Sequence, residues 1–252
     1  ASSLMCTICP SGFHDNDSDP STPCDNDASA CSAGHYSAAG SSSCDACVPG
    51  LADLDGDPST PCVPCLAGTA SVSGSTSCTE CAAGTADDDS DPGTPCVSCL
   101  AGEVSAIAST VCIACVSGRA DHDSDPSTAC ESCAAGRYSS ANATSCSDCG
   151  AGLADLDSDA STVCSMCPAG TYAAGAGTSC DVCSSGQADL DLNASTVCDA
   201  CGLGEFSTAG SVACTACVAG RADEDSDAST ACSACPPGSF SSSHEAQCTS
   251  CA

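Results

Sequence analysis

Residues 47–81 read CVPGLADLDGDPSTPCVPCLAGTASVSGSTSCTEC. Three features of this stretch decide the fold. Cysteines come in C-x2-C pairs, a Gly stands three positions after each pair, and the two intervening loops differ in content. The long loop, Gly50 to Cys62, carries aspartates, and the short loop is rich in Ser and small residues. Outward from here the same phase recurs. The second cysteine of every other pair falls at Cys47, Cys81, Cys115, Cys149, Cys183, Cys217 and Cys251, each step 34 residues long. Within a step the spacing is C-x2-C-x14-C-x2-C-x12, and the order extends back to Cys9 with four extra residues between Cys24 and Cys31. A fixed period of this length is the mark of a repeat array. The expected repeats are 1–46 with the insertion, then 47–80, 81–114, 115–148, 149–182, 183–216 and 217–252.

A 34-residue period also belongs to helical tetratricopeptide arrays, but those need Leu and aromatic stripes. Here Gly, Pro, Ser and Asp stand where a helix would run. The expected fold is therefore a set of small disulfide-rich repeats, an elongated rod or solenoid of turns and very short β-hairpins with almost no helix. Each loop-opening Gly suits a positive φ turn. The equivalent positions Tyr36, Ala70, Val104, Tyr138, Tyr172, Phe206 and Phe240 are expected to form a small apolar contact between neighbours.

Composition explains why staples are needed. The 252 residues include 30 cysteines, aromatics are only 2%, and Trp is absent, so no large core can form. Lys and Arg total 3 against 33 Asp and Glu, a net charge of −30. Such a surface repels nucleic acid and anionic membranes and favours cations. The longest apolar run, around Ala106 to Val116, is interrupted by Ser109 and Thr110 and contains two cysteines, so no membrane insertion is expected. The cysteine density points to an oxidising, extracellular location, and the start at Ala1 is read as a chain that has lost its signal peptide.

Three chemistries compete for the cysteines. Zinc ribbons have a similar spacing, but four thiolates would add charge to an already acidic chain, and fifteen pairs do not divide into two-pair sites. Redox chemistry needs one distinguished pair, and these are interchangeable. Disulfides are favoured. In one scheme each loop is closed at its base, from Cys9–Cys24 and Cys31–Cys44 to Cys235–Cys248. In another, neighbouring pairs are doubly linked, as in Cys44–Cys62 with Cys47–Cys65. The first keeps every bridge local and tolerates the insertion. It leaves Cys6 and Cys251, which could join copies of the chain head to tail into an open polymer.

Every long loop carries Asp-x-Asp-x-Asp or a near variant of it. The sets are Asp15, Asp17, Asp19; Asp53, Asp55, Asp57; Asp87, Asp89, Asp91; Asp121, Asp123, Asp125; Asp155, Asp157, Asp159; Asp189, Asp191, Asn193; and Asp223, Asp225, Asp227. Short Asp arms on a turning loop supply the oxygens that Ca²⁺ takes, so about one ion per 34-residue repeat is expected. Plain solvation of an acidic surface is the alternative. The EF-hand is excluded, because Pro58, Pro92 and Pro126 occupy the sixth position where its Gly belongs. The triplets resemble the aspartate loops of thrombospondin type 3 repeats, and that resemblance implies calcium held between disulfides. N-glycan sequons stand at Asn16, Asn142 and Asn193, and Asn142 lies away from the aspartate sets. Catalytic residues are not expected. The histidines His14, His35, His122 and His244 share no phase with a nucleophile, and the only basic residues are Arg119, Arg137 and Arg221.

The short loops carry a second resemblance. CAAGRYSSANATSCSDC (Cys133 to Cys149) and CPPGSFSSSHEAQCTSC (Cys235 to Cys251) look like the ephrin-receptor-like cysteine-rich repeat. That repeat occurs in receptor ectodomains and in large secreted proteins, among them glycosylated mastigoneme shaft proteins of flagella. The Asp triplets depart from the receptor version. The resemblance implies a secreted, glycosylated structural protein of an extracellular filament or fibril, with copies of itself and glycans as partners. The competing expectation is a stalk or ligand-binding ectodomain of an adhesin or receptor.

Overall fold

The computed structural model describes residues 8–15 and 28–251. Among these residues there is no helix, and so none long and apolar enough to cross a membrane. The regular structure consists of two-stranded antiparallel hairpins, one per loop, as in Leu51–Ala52 with Val63–Pro64 and Thr69–Ala70 with Thr79–Glu80. Most strands are two residues long, too short to be stable alone. The hairpin at the insertion is longer, pairing Phe13–Asp15 with Ala28–Ala30.

Each hairpin is tied in the same way. The loop-opening Gly takes a positive φ, and its carbonyl accepts the amide of the cysteine that ends the hairpin, as in Cys65 to Gly50 at 2.9 Å and Cys81 to Gly68 at 2.9 Å. A disulfide then closes the loop at its base. Bridges alternate between a separation of 13 (Cys31–Cys44, Cys65–Cys78, Cys99–Cys112) and one of 15 (Cys47–Cys62, Cys81–Cys96, Cys115–Cys130), continuing to Cys235–Cys248. This is the local scheme; the doubly linked one and thiolate zinc ligation do not occur among the described residues. Cys9 is also disulfide-bonded, while Cys24 and Cys6 lie outside the described residues. Cys251 is free and exposed.

The interior is small and repetitive. Its fully buried side chains include Ser37, the first cysteine of six long-loop bridges (Cys47, Cys81, Cys115, Cys149, Cys183, Cys217) and the second residue of the same six hairpins (Ala52, Ala86, Ala120, Ala154, Ala188, Ala222). The aromatic phase does not provide the central contact. Tyr36, Tyr138, Tyr172 and Phe206 are only half-buried, and Phe240 is 53% exposed. Backbones approach too closely for large side chains to be enclosed. Leu66, Met166 and Leu100 stay at the surface, 79%, 78% and 72% exposed, so burial of large apolar groups is not what holds the repeats together.

Contacts divide the described chain into two compact units. One runs up to Cys115 and includes Asp121–Cys130; the other comprises Val116–Ala120 and the residues from Glu131 onward. Within each unit, short loops stack directly. A Cβ on Gly34 or Gly68 would fall inside the carbonyl of Gly74 or Ala108 in the next short loop, and Gly136, Gly170 and Gly204 meet Ala176, Gly210 and His244 likewise. These glycines are fixed by close approach as well as by φ. A buried Ser adds a second tie. Ser71 Oγ donates to the Leu51 carbonyl at 3.0 Å, with counterparts at Ser37, Ser105, Ser139, Ser207 and Ser241. Ala173 replaces this Ser in one repeat and packs against Ala154 and Cys167.

Candidate acidic-loop site

The three aspartates of each long loop occupy different environments. The first is buried: Asp53, Asp87, Asp121, Asp155, Asp189 and Asp223 are all under a tenth exposed. Its carboxylate reaches back to the preceding short loop. Gly34, Gly68, Gly102, Gly136 and Gly170 each donate their amide to the Oδ2 of the first Asp of the following long loop, at 2.9–3.2 Å. Its own amide reaches forward, as in Asp53 to the Ser75 carbonyl at 3.0 Å and Asp87 to the Ser109 carbonyl at 3.0 Å. Asp53, Asp87, Asp155 and Asp189 thus bridge the short loops on either side of them. A buried carboxylate tolerates this position because amide N–H groups take its charge.

The second and third aspartates are exposed and organise the turn itself. Asp55 Oδ1 accepts the Asp57 amide at 3.0 Å, and Thr60 donates its hydroxyl to Asp55 Oδ2 at 3.0 Å. Asp57 Oδ1 accepts the Ser59 amide at 2.9 Å and the Ser59 hydroxyl at 2.7 Å. Asp89–Asp91, Asp123–Asp125, Asp157–Asp159, Asp191–Asn193 and Asp225–Asp227 follow the same plan. These are Asx turns, in which a side chain satisfies the backbone where no ladder does. They allow a residue with positive φ two positions after the first Asp's neighbour, at Gly56, Ser90, Ser124, Ser158, Leu192 and Ser226.

The electrostatics follow the hydrogen bonds. Asp55 is held below the ordinary aspartate value of 3.8, first by the Asp57 amide and then by the Thr60 hydroxyl. Asp89, Asp123, Asp157 and Asp225 are lowered for the same reasons, led by the amides of Asp91, Asp125, Asp159 and Asp227.

The three acidic side chains of one loop do not converge: the first is buried and the other two are exposed. Among the described residues, the only trio of His, Cys and acidic groups with ligand atoms within 4.8 Å of one another is His14, Cys31 and Cys44, and both of those cysteines are in a disulfide. His14 Nδ1 lies 3.1 Å from Cys44 Sγ. Asp17, Asp19 and Asn16 lie outside the described residues, and Asp15 is half-buried. Of the other sequons, Asn142 is exposed with φ 61° at a loop tip, whereas the side-chain oxygen of Asn193 is engaged by the Ser195 amide and hydroxyl. The buried clamp of the first Asp was not legible from a two-residue spacing; its burial beside a small Ala, at the end of each Gly-x-Ala-Asp run, was the available signal.

No protein-family model matches the chain, and no curated protein has a similar sequence.

Proposed function

We propose that the chain is a structural protein of an extracellular filament or fibril, built from stapled tandem repeats and secreted through an oxidising compartment. One observation carries this reading. The same glycine–aspartate clamp and, with one Ala exception, the same serine tie recur from repeat to repeat among the described residues. Work spread equally over identical loops suits a mechanical or coating role better than selective recognition. The ephrin-receptor-like short loops belong to this reading, as do N-glycans at exposed tips such as Asn142.

In the same reading the acidic loops take up calcium, about one ion per 34-residue repeat. The ions draw on the acidic positions of each loop and offset part of the −30 charge. Copies join head to tail, with Cys251, free and exposed, as one partner of an intermolecular disulfide and Cys6 as the other. Negative-stain images of native material test the assembly. Long filaments that shorten under mild reductant are expected; isolated particles of single-chain mass contradict it. Calorimetry of chelator-stripped chain against calcium chloride tests the ions, with heat and a raised melting temperature expected. Absence of both contradicts the ion reading and leaves the assembly reading standing.

A further inference from the structure

Each short loop places one residue at the same point of its hairpin, and at all but one of these points the side chain is large. Tyr36, Val104, Tyr138, Tyr172, Phe206 and Phe240 hold this phase, and the exception is Ala70. The rings of Tyr36, Tyr138, Tyr172 and Phe206 are half-buried. Where Ala70 stands, the surface holds a cleft of about 360 Å³. Its walls include Pro49 of one long loop, Val72 of the short loop, and Gly93, Thr94 and Pro95 of the next long loop. No charged side chain lines it.

The residue at position 70 does not set the width of this cleft. Ser71, its neighbour, joins both long loops. Its carbonyl accepts the Gly50 amide at 3.3 Å, its amide donates to the Pro92 carbonyl at 2.9 Å, and its hydroxyl donates to the Leu51 carbonyl at 3.0 Å. Ser139, which follows Tyr138, makes the same three bonds, with the Gly118 amide at 3.0 Å, the Ala160 carbonyl at 3.1 Å and the Arg119 carbonyl at 2.9 Å. The frame around a tyrosine ring is thus kept where the ring is missing. Closing the space would break these bonds, so the walls forfeit contacts that an incoming apolar group restores. An apolar cavity of about 150 Å³ holds benzene, and small-molecule sites begin at about 300 Å³. The walls are also more apolar here: Pro49 and Val72 stand where the Tyr138 repeat has Ser117 and Ser140.

Charge narrows the occupant. The chain carries −30, which repels anions and the lateral approach of a second copy. An uncharged free molecule meets no such barrier. We propose that the cleft at Ala70 binds a small neutral aromatic molecule of the phenol class, whose ring takes the place that a tyrosine fills from within in other repeats. The site depends on neither ion uptake nor assembly.

The test is an amide NMR titration of the intact, disulfide-bonded chain with 4-methylphenol, the tyrosine side chain as a free molecule. Saturable shifts are expected at Val72, Gly93 and Thr94, with a midpoint of about 1 mM. Ala70→Tyr supplies the ring covalently, in a frame that accepts one at Tyr138, and is expected to raise the midpoint at least about tenfold. Val72→Ser, at a position 74% exposed, removes one apolar wall and is expected to raise it about threefold. No saturable shift at these amides, or a midpoint unchanged in either variant, overturns the site.

Discussion

Ser105 and Ala173 hold equivalent places in their short loops, and the chain itself has made the substitution that tests the buried tie. Ser105 donates to the Thr85 carbonyl at 2.9 Å, whereas Ala173 offers only a methyl group. Ser105→Ala is expected to destabilise by about 1 kcal/mol and Ala173→Ser to stabilise by a similar amount, read from chemical unfolding midpoints. The glycines divide in the same spirit. Gly136→Ala drives a Cβ into the Ala176 carbonyl at φ 78° and is expected to cost about 2–5 kcal/mol. Gly238 has φ 86° but nothing within 4 Å of its Cβ position, so Gly238→Ala should cost only about 1–2 kcal/mol. Equal losses at the two positions would contradict stacking as the reason for the short-loop glycine. At this scale the sequence was half legible. A Gly after each staple announces a positive φ, but the carbonyl it must admit comes from the next short loop, and no local pattern names it.

The hairpin is the next unit, and its boundaries could be read from cysteine spacing. Its energetics depend on which loop is opened. Cys99→Ala with Cys112→Ala opens a short loop; Cys81→Ala with Cys96→Ala opens a long one and also empties a site where Cys81 is 1% exposed. Each pair should lose about 3 kcal/mol of closure entropy. The long-loop pair should lose more, because a buried side chain is truncated as well. Urea unfolding of the two variants checks the order. The acidic turn contributes a pH response. Asp55, Asp89, Asp123, Asp157 and Asp225 are depressed below 3.8 by amide and threonine donors. The folded state therefore binds fewer protons than the unfolded one. The stability these groups contribute is present above 3.8 and is lost as pH falls through their lower folded values. Melting temperature should thus drop on acidification through this window, and Thr60→Val with Thr94→Val should make the drop shallower. The division of labour among the three aspartates was not legible, because a spacing of two predicts one shared side only if the backbone stays extended. Here the chain turns at Gly56 and its equivalents, which sends the first carboxylate inward and the other two outward.

Across the whole molecule the period itself was the most legible property. Thirty cysteines, all but the first three at one fixed phase, scarce aromatics and −30 charge leave covalent staples as the main replacement for a core. What the period hides is how neighbours recognise each other. They use backbone carbonyls, glycine amides, one buried aspartate and one buried serine, residues whose types are common throughout the chain. Hydrophobicity does not mark them, and the tyrosines that it does mark are only half-buried. All of these ties presuppose loops closed at their bases, so the connectivity carries the account. Peptide mapping by mass spectrometry on unreduced chain, alkylated at acid pH, reads it directly. The account predicts Cys47–Cys62, Cys65–Cys78, Cys81–Cys96 and their successors as the linked peptides. Recovery of Cys44–Cys62 with Cys47–Cys65, or of free thiols throughout, would contradict it.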